Sequence, residues 1–311
     1  MVSFFSGRDV VAAVPPETAY AAVREGFVAH ARGEWTMQPK LYVTNYPAGD
    51  FRAMPALGGG HALLKWVTSF PGNRALGLPT VTGLVVLSNA DTGMVEAILD
   101  AGAVTALRTG AAAVIAADLL GRPDAETAAV IGAGVNGTAA ARTFVALGRS
   151  VSLWDVDRPR AEVAAAELGA DVSASREEAL AADLLVTVTP GRKILVREGA
   201  LRPGQHVSLM GADGPGKAEI AIAEIARAHV FCDEWEQASH GGELTAALEA
   251  GAIVRGDVTE LGAVLIGSAT GRASADEITV FDSTGLAIQD LAIAKAALAR
   301  ADDLDLQRLY L

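Results

Sequence analysis

The stretch Val130-Ile131-Gly132-Ala133-Gly134-Val135-Asn136-Gly137 constrains this chain more than any other. Small and β-branched residues from Thr127 to Ile131 run straight into three spaced glycines, and a helical pattern, TAAARTFVALG, follows. The succession is strand, glycine turn, helix. The first glycine permits a tight turn and the second lets a pyrophosphate approach bare backbone. The third lets the helix pack close to the strand, so that its N-terminal N–H groups face phosphate. A second strand, Ser150 to Trp154, ends in Asp155, eighteen residues after Gly137, where a carboxylate can take ribose hydroxyls. Gly132, Gly134, Val135, Asn136, Gly137 and Asp155 are therefore expected to bind a dinucleotide. An ordinary glycine-rich turn is the alternative, and the placement of the acid argues against it.

From Thr127 onward, strands (TAAVI, SVSLW, DLLVTVT, HVSLM, HVFCD and, as the last, ITVFD) alternate with helical stretches, the signature of a doubly wound parallel sheet. With 51% hydrophobic and only 5% aromatic residues, the cores are built mainly of Ala, Val, Leu and Ile, which suits such a sheet. The preceding part reads differently. A helix begins at Pro15-Pro16-Glu17, and the strands LYVTNY, FRAMPAL, LLKWVTSF and TVTGLVVLS follow. An alanine-rich helix from Ala103 to Leu120 then ends at Gly121-Arg122-Pro123. The expected division is a smaller α+β domain over residues 1–120 and a doubly wound domain over 121–285. The helical segment after Gly285 (residues 286–311) returns to the first domain.

The net charge of −12 argues against nucleic acid or an anionic membrane as partner, so an anionic substrate would need a local cluster of cations. Cys232 is the only cysteine, which excludes an intrachain disulfide, and it reads as a small buried thiol. No export signal opens the sequence and no charge-free apolar run reaches spanning length, so a cytoplasmic location is expected. The five histidines show no metal-ligand spacing, and Ser239-His240 lacks the context of a hydrolase nucleophile.

The missing cations are Arg52 in FRAMPAL, Lys65 in LLKWV and Arg108 in TALRTG. Alternation puts Lys65 on one face with Leu63 and Val67, and a buried ammonium there needs an anion. A lysine reaching from an edge strand to water is the other reading. Arg52 and Arg108 are ordinary surface or structural arginines if taken singly; together with Lys65 they would supply the missing cationic cluster, and an arginine fork matches a carboxylate bidentately. Asp213, in GADGPGK directly after the strand HVSLM, is the candidate acid–base, because doubly wound folds bind ligands at the carboxyl ends of strands. A turn-shaping Asp-Gly pair is its plainer reading.

The motifs FRAMPAL, LLKWVTSFPGN, GLPTV, ALRTGAA, GADGPGKAE, EQASHGGE and EITVFDSTGLAIQD, in that order around the glycine fingerprint, resemble the ornithine cyclodeaminase/μ-crystallin family over nearly the whole chain. Within it they resemble the archaeal-type alanine dehydrogenases. The resemblance implies a Rossmann domain and a substrate-binding and dimerisation domain completed by the C-terminal segment, assembled as a homodimer. It implies that Lys65 and Arg108 hold a substrate carboxylate, with Lys40 at a further carboxylate-binding position, and that Asp213 transfers protons and activates water. Thr80, Thr109, Ser283 and Thr284 match positions near the phosphates or nicotinamide.

Two departures set this chain apart from the cyclodeaminases it resembles. Arg52-Ala53-Met54-Pro55 stands where they carry a glutamate before Met-Pro, and Gly214 replaces a cysteine in the Asp213 loop. A cation at position 52 would repel the side chain of ornithine. Asp155 opposes the 2′-phosphate of NADP, although Arg158 and Arg160 follow it closely. The expectation is therefore NAD-dependent oxidative deamination of a small L-2-amino acid, most plausibly alanine, or the reverse amination of pyruvate, through an iminium. Ornithine cyclodeamination and reduction of a cyclic imine such as pyrroline-2-carboxylate are alternatives, with a non-catalytic μ-crystallin-like binding protein the third.

Overall fold

The structure, a computed structural model, describes residues 1–310 except Arg192, Asp213 and Pro215. The chain forms two compact units: Met1–Arg108 with Leu286–Leu311, and Thr109–Gly285.

In the first unit the strands run in the order Gln307–Leu309, Val2–Phe5, Val95–Asp100, Val81–Asn89, His61–Ser69 and Gly49–Gly58. Both Thr36–Met37 and Leu41–Asn45 pair with Gly49–Gly58. Val2–Phe5 is parallel to Val95–Asp100, and the other pairings are antiparallel. The C-terminal helix Ala287–Leu298 lies across the long strands and packs on the helix Pro16–Ala31. That layer makes one face of the sheet a core and gives the strands their alternation. In His61–Ser69 the residues Leu63, Lys65 and Val67 are buried, whereas Leu64 and Trp66 are exposed.

The second unit is a parallel sheet throughout its pairings. Its order is Asp171–Val172, Val151–Trp154, Ala128–Ile131, Leu184–Thr187, His206–Leu209, Thr279–Asp282, His229–Cys232 and Val258–Glu260. The direction of winding reverses between Ala128–Ile131 and Leu184–Thr187, which defines the crevice of a doubly wound fold. The last strand in sequence, Thr279–Asp282, is inserted between two earlier ones, so both of its edges are paired, and all four of its residues are buried.

The division between the units falls inside the helix Ala101–Leu120 rather than at the Gly121-Arg122-Pro123 stop that ends it. The reason lies in packing. At Gly110 a Cβ would run into the backbone of Ala139 and Ala140, so the second half of the helix lies tight against the helix Val135–Ala146 of its own unit. By length and composition Ala101–Leu120 could cross a membrane, but 78% of its most apolar window is buried inside the fold, as in a core helix.

Candidate active site

Lys65 lies on the helix-covered face of its strand. In the antiparallel register Met54 stands opposite Lys65 and Arg52 opposite Val67, which makes Arg52 and Lys65 diagonal neighbours on that face. From the helix Ala101–Leu120 come Thr105 and, one turn on, Arg108. The helix Ala287–Leu298 contributes Gln289 and Asp290, both fully buried.

These groups converge. Lys65 Nζ lies 2.6 Å from Asp290 Oδ2 and donates to Thr105 Oγ1 at 3.3 Å. Arg108 Nε lies 3.6 Å from the other Asp290 oxygen, and Arg108 Nη1 donates to Gln289 Oε1 at 3.5 Å. Arg52 has its own acid: Nε donates to Asp50 Oδ1 at 2.6 Å, and the guanidinium lies over the Tyr42 ring, 5.3 Å from its centroid. Two cations therefore share the single carboxylate of Asp290, while Arg52 is balanced by Asp50. Arg108 Nε is buried with no hydrogen-bond partner among the described residues. Burial lowers the Lys65 ammonium to about 8; Arg108 and Arg52 push the same way, and the opposing pull of Asp290 does not outweigh them. Among the described residues, Lys65, Arg108 and Asp290 thus form a cluster with one positive charge in excess.

The second candidate element is the glycine turn. Gly132 has φ +108°, which favours glycine, and a Cβ on Gly137 would run into the Gly132 carbonyl oxygen. The helix Val135–Ala146 starts at Gly134 without a side-chain cap, so its first N–H groups are left for a ligand. Val135 and Gly134 are exposed at this start, with Asn136 half-buried. Asp155 accepts from the N–H groups of Ala133 and Asp157, each at 2.8 Å, and so sits fixed beside the turn. Arg158 is paired with Glu162 at 2.8 Å, whereas Arg160 donates to Asp157 at 2.9 Å and also lies 3.7 Å from Asp155 Oδ2.

Other predicted residues are placed less tellingly. Thr109 is buried, and its hydroxyl lacks a partner among the described residues. Ser283 and Thr284 donate to the two oxygens of buried Asp233, each at 3.1 Å. Lys40 is half-buried between the strands Thr36–Met37 and Leu41–Asn45, and Thr80 is exposed just before Val81–Asn89. Asp213 lies outside the described residues.

Sequence reading missed the acids. Asp290 is the only acid in the apolar run AIQDLAIAKAAL, a signal that could have been used. It also missed two buried glutamates beyond the Asp213 loop. Glu219 accepts from Thr187 Oγ1 at 2.8 Å and from the Thr189 N–H at 2.8 Å, and its own N–H donates to both oxygens of Glu243. Burial, reinforced by Asp282, pushes Glu243 up to about 9. These bonds tie the segment after the loop to the end of the strand Leu184–Thr187.

The model of the ornithine cyclodeaminase/mu-crystallin family matches residues 6–304. An alanine dehydrogenase of Archaeoglobus fulgidus is 42% identical over 301 residues, covering 94% of this chain and 93% of that protein. Among solved structures, an archaeal alanine dehydrogenase dimer with bound NAD has a TM-score of 0.93 at 38% identity, with 99% of each chain covered. The Δ1-pyrroline-2-carboxylate reductase of Thermococcus litoralis, in complex with NADH and L-proline, has a TM-score of 0.91 at 26% identity, covering 97% of this chain and 98% of that one.

Proposed function

Because the chain belongs to the ornithine cyclodeaminase/mu-crystallin family, we propose that it is an NAD-dependent dehydrogenase of small L-2-amino acids, with alanine and pyruvate as its substrate pair. The single observation that carries this reading is the surplus positive charge, among the described residues, of buried Lys65 and half-buried Arg108 over Asp290, a pairing that a substrate carboxylate would complete. Arg52 lines the same face with its charge already met by Asp50.

The residues around the glycine turn fit NAD. The uncapped start of Val135–Ala146 would take the pyrophosphate, and Asp155 the ribose hydroxyls, with Thr109, Ser283, Thr284 and Thr80 as further polar contacts. When bound, NAD supplies the acceptor for the hydride that leaves the substrate Cα. The chain does the rest. Lys65 and Arg108, with Lys40 as a further base, hold the carboxylate and so fix the orientation of Cα, a large part of catalysis for such a step. Asp213 takes a proton from the amine, or from the water that attacks the iminium, leaving 2-oxo acid and ammonia; in reverse it returns it.

Asp213→Asn is expected to keep NADH binding and to lose turnover by at least ~100-fold. Near-normal turnover of NADH with pyruvate and ammonium in that variant would remove Asp213 from the mechanism. A second reading, reduction of a preformed cyclic imine, is favoured by the likeness to the pyrroline-2-carboxylate reductase, because the same cations would hold an imine's carboxylate. NADH oxidation by pyrroline-2-carboxylate far faster than by pyruvate with ammonium would select it.

We also propose that the chain is a homodimer. Leu57, Leu64, Trp66 and Leu84 leave the long strands on the face away from the helices, each more than 40% exposed, and the similar alanine dehydrogenase is a dimer. A second copy laid on that face would cover them.

A further inference from the structure

We propose that Asp50 is a specificity-determining residue that makes this a monocarboxylate site, closing Arg52 to any second carboxylate on the substrate. The inference rests on the reading of Lys65 and Arg108 as the carboxylate clamp. Three cations face one side of the sheet, and a site lined by three cations would ordinarily suit a dicarboxylate. Two acids from different elements alter that balance. Asp290 meets one of the two charges on Lys65 and Arg108. Asp50 meets the charge on Arg52, two residues along the same strand and therefore on the same face.

The pairing is built in. Asp50 is 4% exposed, and both its oxygens face Arg52, at 2.6 Å from Nε and 3.4 Å from Nη2. Tyr46 Oη also donates to Asp50, and the Tyr42 ring, opposite Arg52 in the register, lies against the guanidinium. A second carboxylate arriving at Arg52 would have to displace Asp50, leaving a buried carboxylate uncompensated, or share the arginine with it at like-charge cost. An uncharged side chain meets neither cost. The surplus of one positive charge is spent on the carboxylate beside Cα.

The test uses two unreactive probes of nearly equal shape, succinate and its monoamide succinamate, titrated into the enzyme–NADH complex by calorimetry. In the unaltered protein succinamate is expected to bind at least ~10-fold more tightly than succinate. Asp50→Asn, which adds one positive charge at nearly constant volume, is expected to shrink that ratio by ~10-fold or more, and Asp50→Glu to restore it. Equal or tighter binding of succinate by the unaltered protein overturns the proposal whether or not the variants fold. So does an unchanged ratio in a folded Asp50→Asn protein. Because only binding is read, a chain that fails to aminate pyruvate would refute the proposed reaction, while the ratio of the two affinities would still decide the role of Asp50.

Discussion

Lys65 is held in a place where its charge is costly, and that cost is measurable. Its ammonium, lowered to about 8 chiefly by burial, is protonated below that pH and neutral above it. A clamp that needs the cation therefore weakens as pH rises. The KM for pyruvate is expected to be flat up to about pH 7 and to climb towards ~10-fold per unit well above pH 8, approaching the loss of one proton per site. Asp290 is what keeps the ammonium as high as 8. In Asp290→Asn the raising influence goes while burial, Arg108 and Arg52 remain, so the rise in KM should begin at lower pH. That variant also leaves the buried Lys65 and the half-buried Arg108 without an acid, and denaturant unfolding should show a loss of about 3–5 kcal/mol. A rise in KM that begins at the same pH in both proteins would mean that Lys65 does not set it.

The glycine turn and its helix behave as one element, and two of the glycines serve it differently. Nothing lies within 4 Å of a Cβ built on Gly134, whereas one on Gly137 meets backbone. Gly134→Ala is thus expected to leave the melting temperature within about 2 °C of the parent while weakening NADH at least ~10-fold, because its methyl occupies the approach of the phosphates. Gly137→Ala should lower both, since helix and strand can no longer close up. Unchanged NADH affinity in Gly134→Ala would show that the phosphates do not approach the turn there, and equal melting of the two variants would show that Gly137 does not set the packing of helix on strand. Much of this element was legible in sequence, because every part of it lies within a short stretch from Val130 to Asp155. Lys65 was half legible: alternation gave its face, but its partner lies on a helix near the other end of the chain. Asp50 lies two residues from Arg52, yet that two such side chains pair rather than diverge is settled by the burial of the face they share. The strands Asp171–Val172 and Val258–Glu260 were too short to carry a pattern.

For the molecule as a whole, the proposed dimer rests on the helix-free sheet face. Trp66→Glu places a charge among Leu57, Leu64 and Leu84 without touching the buried side of the strand. Sedimentation should show the parent as a dimer and the variant shifted towards monomer, with the melting temperature lowered only as far as dissociation requires. A variant that sediments like the parent would place the contact elsewhere. The return of Leu286–Leu311 to the first unit has a consequence for biosynthesis. Lys65 and Arg108 leave the ribosome long before Asp290 is made, with the whole of Thr109–Gly285 translated in between. The nascent first unit therefore carries two cations whose shared acid has not yet been made, and it can close only once Leu286–Leu311 has been translated, after the whole of the second unit.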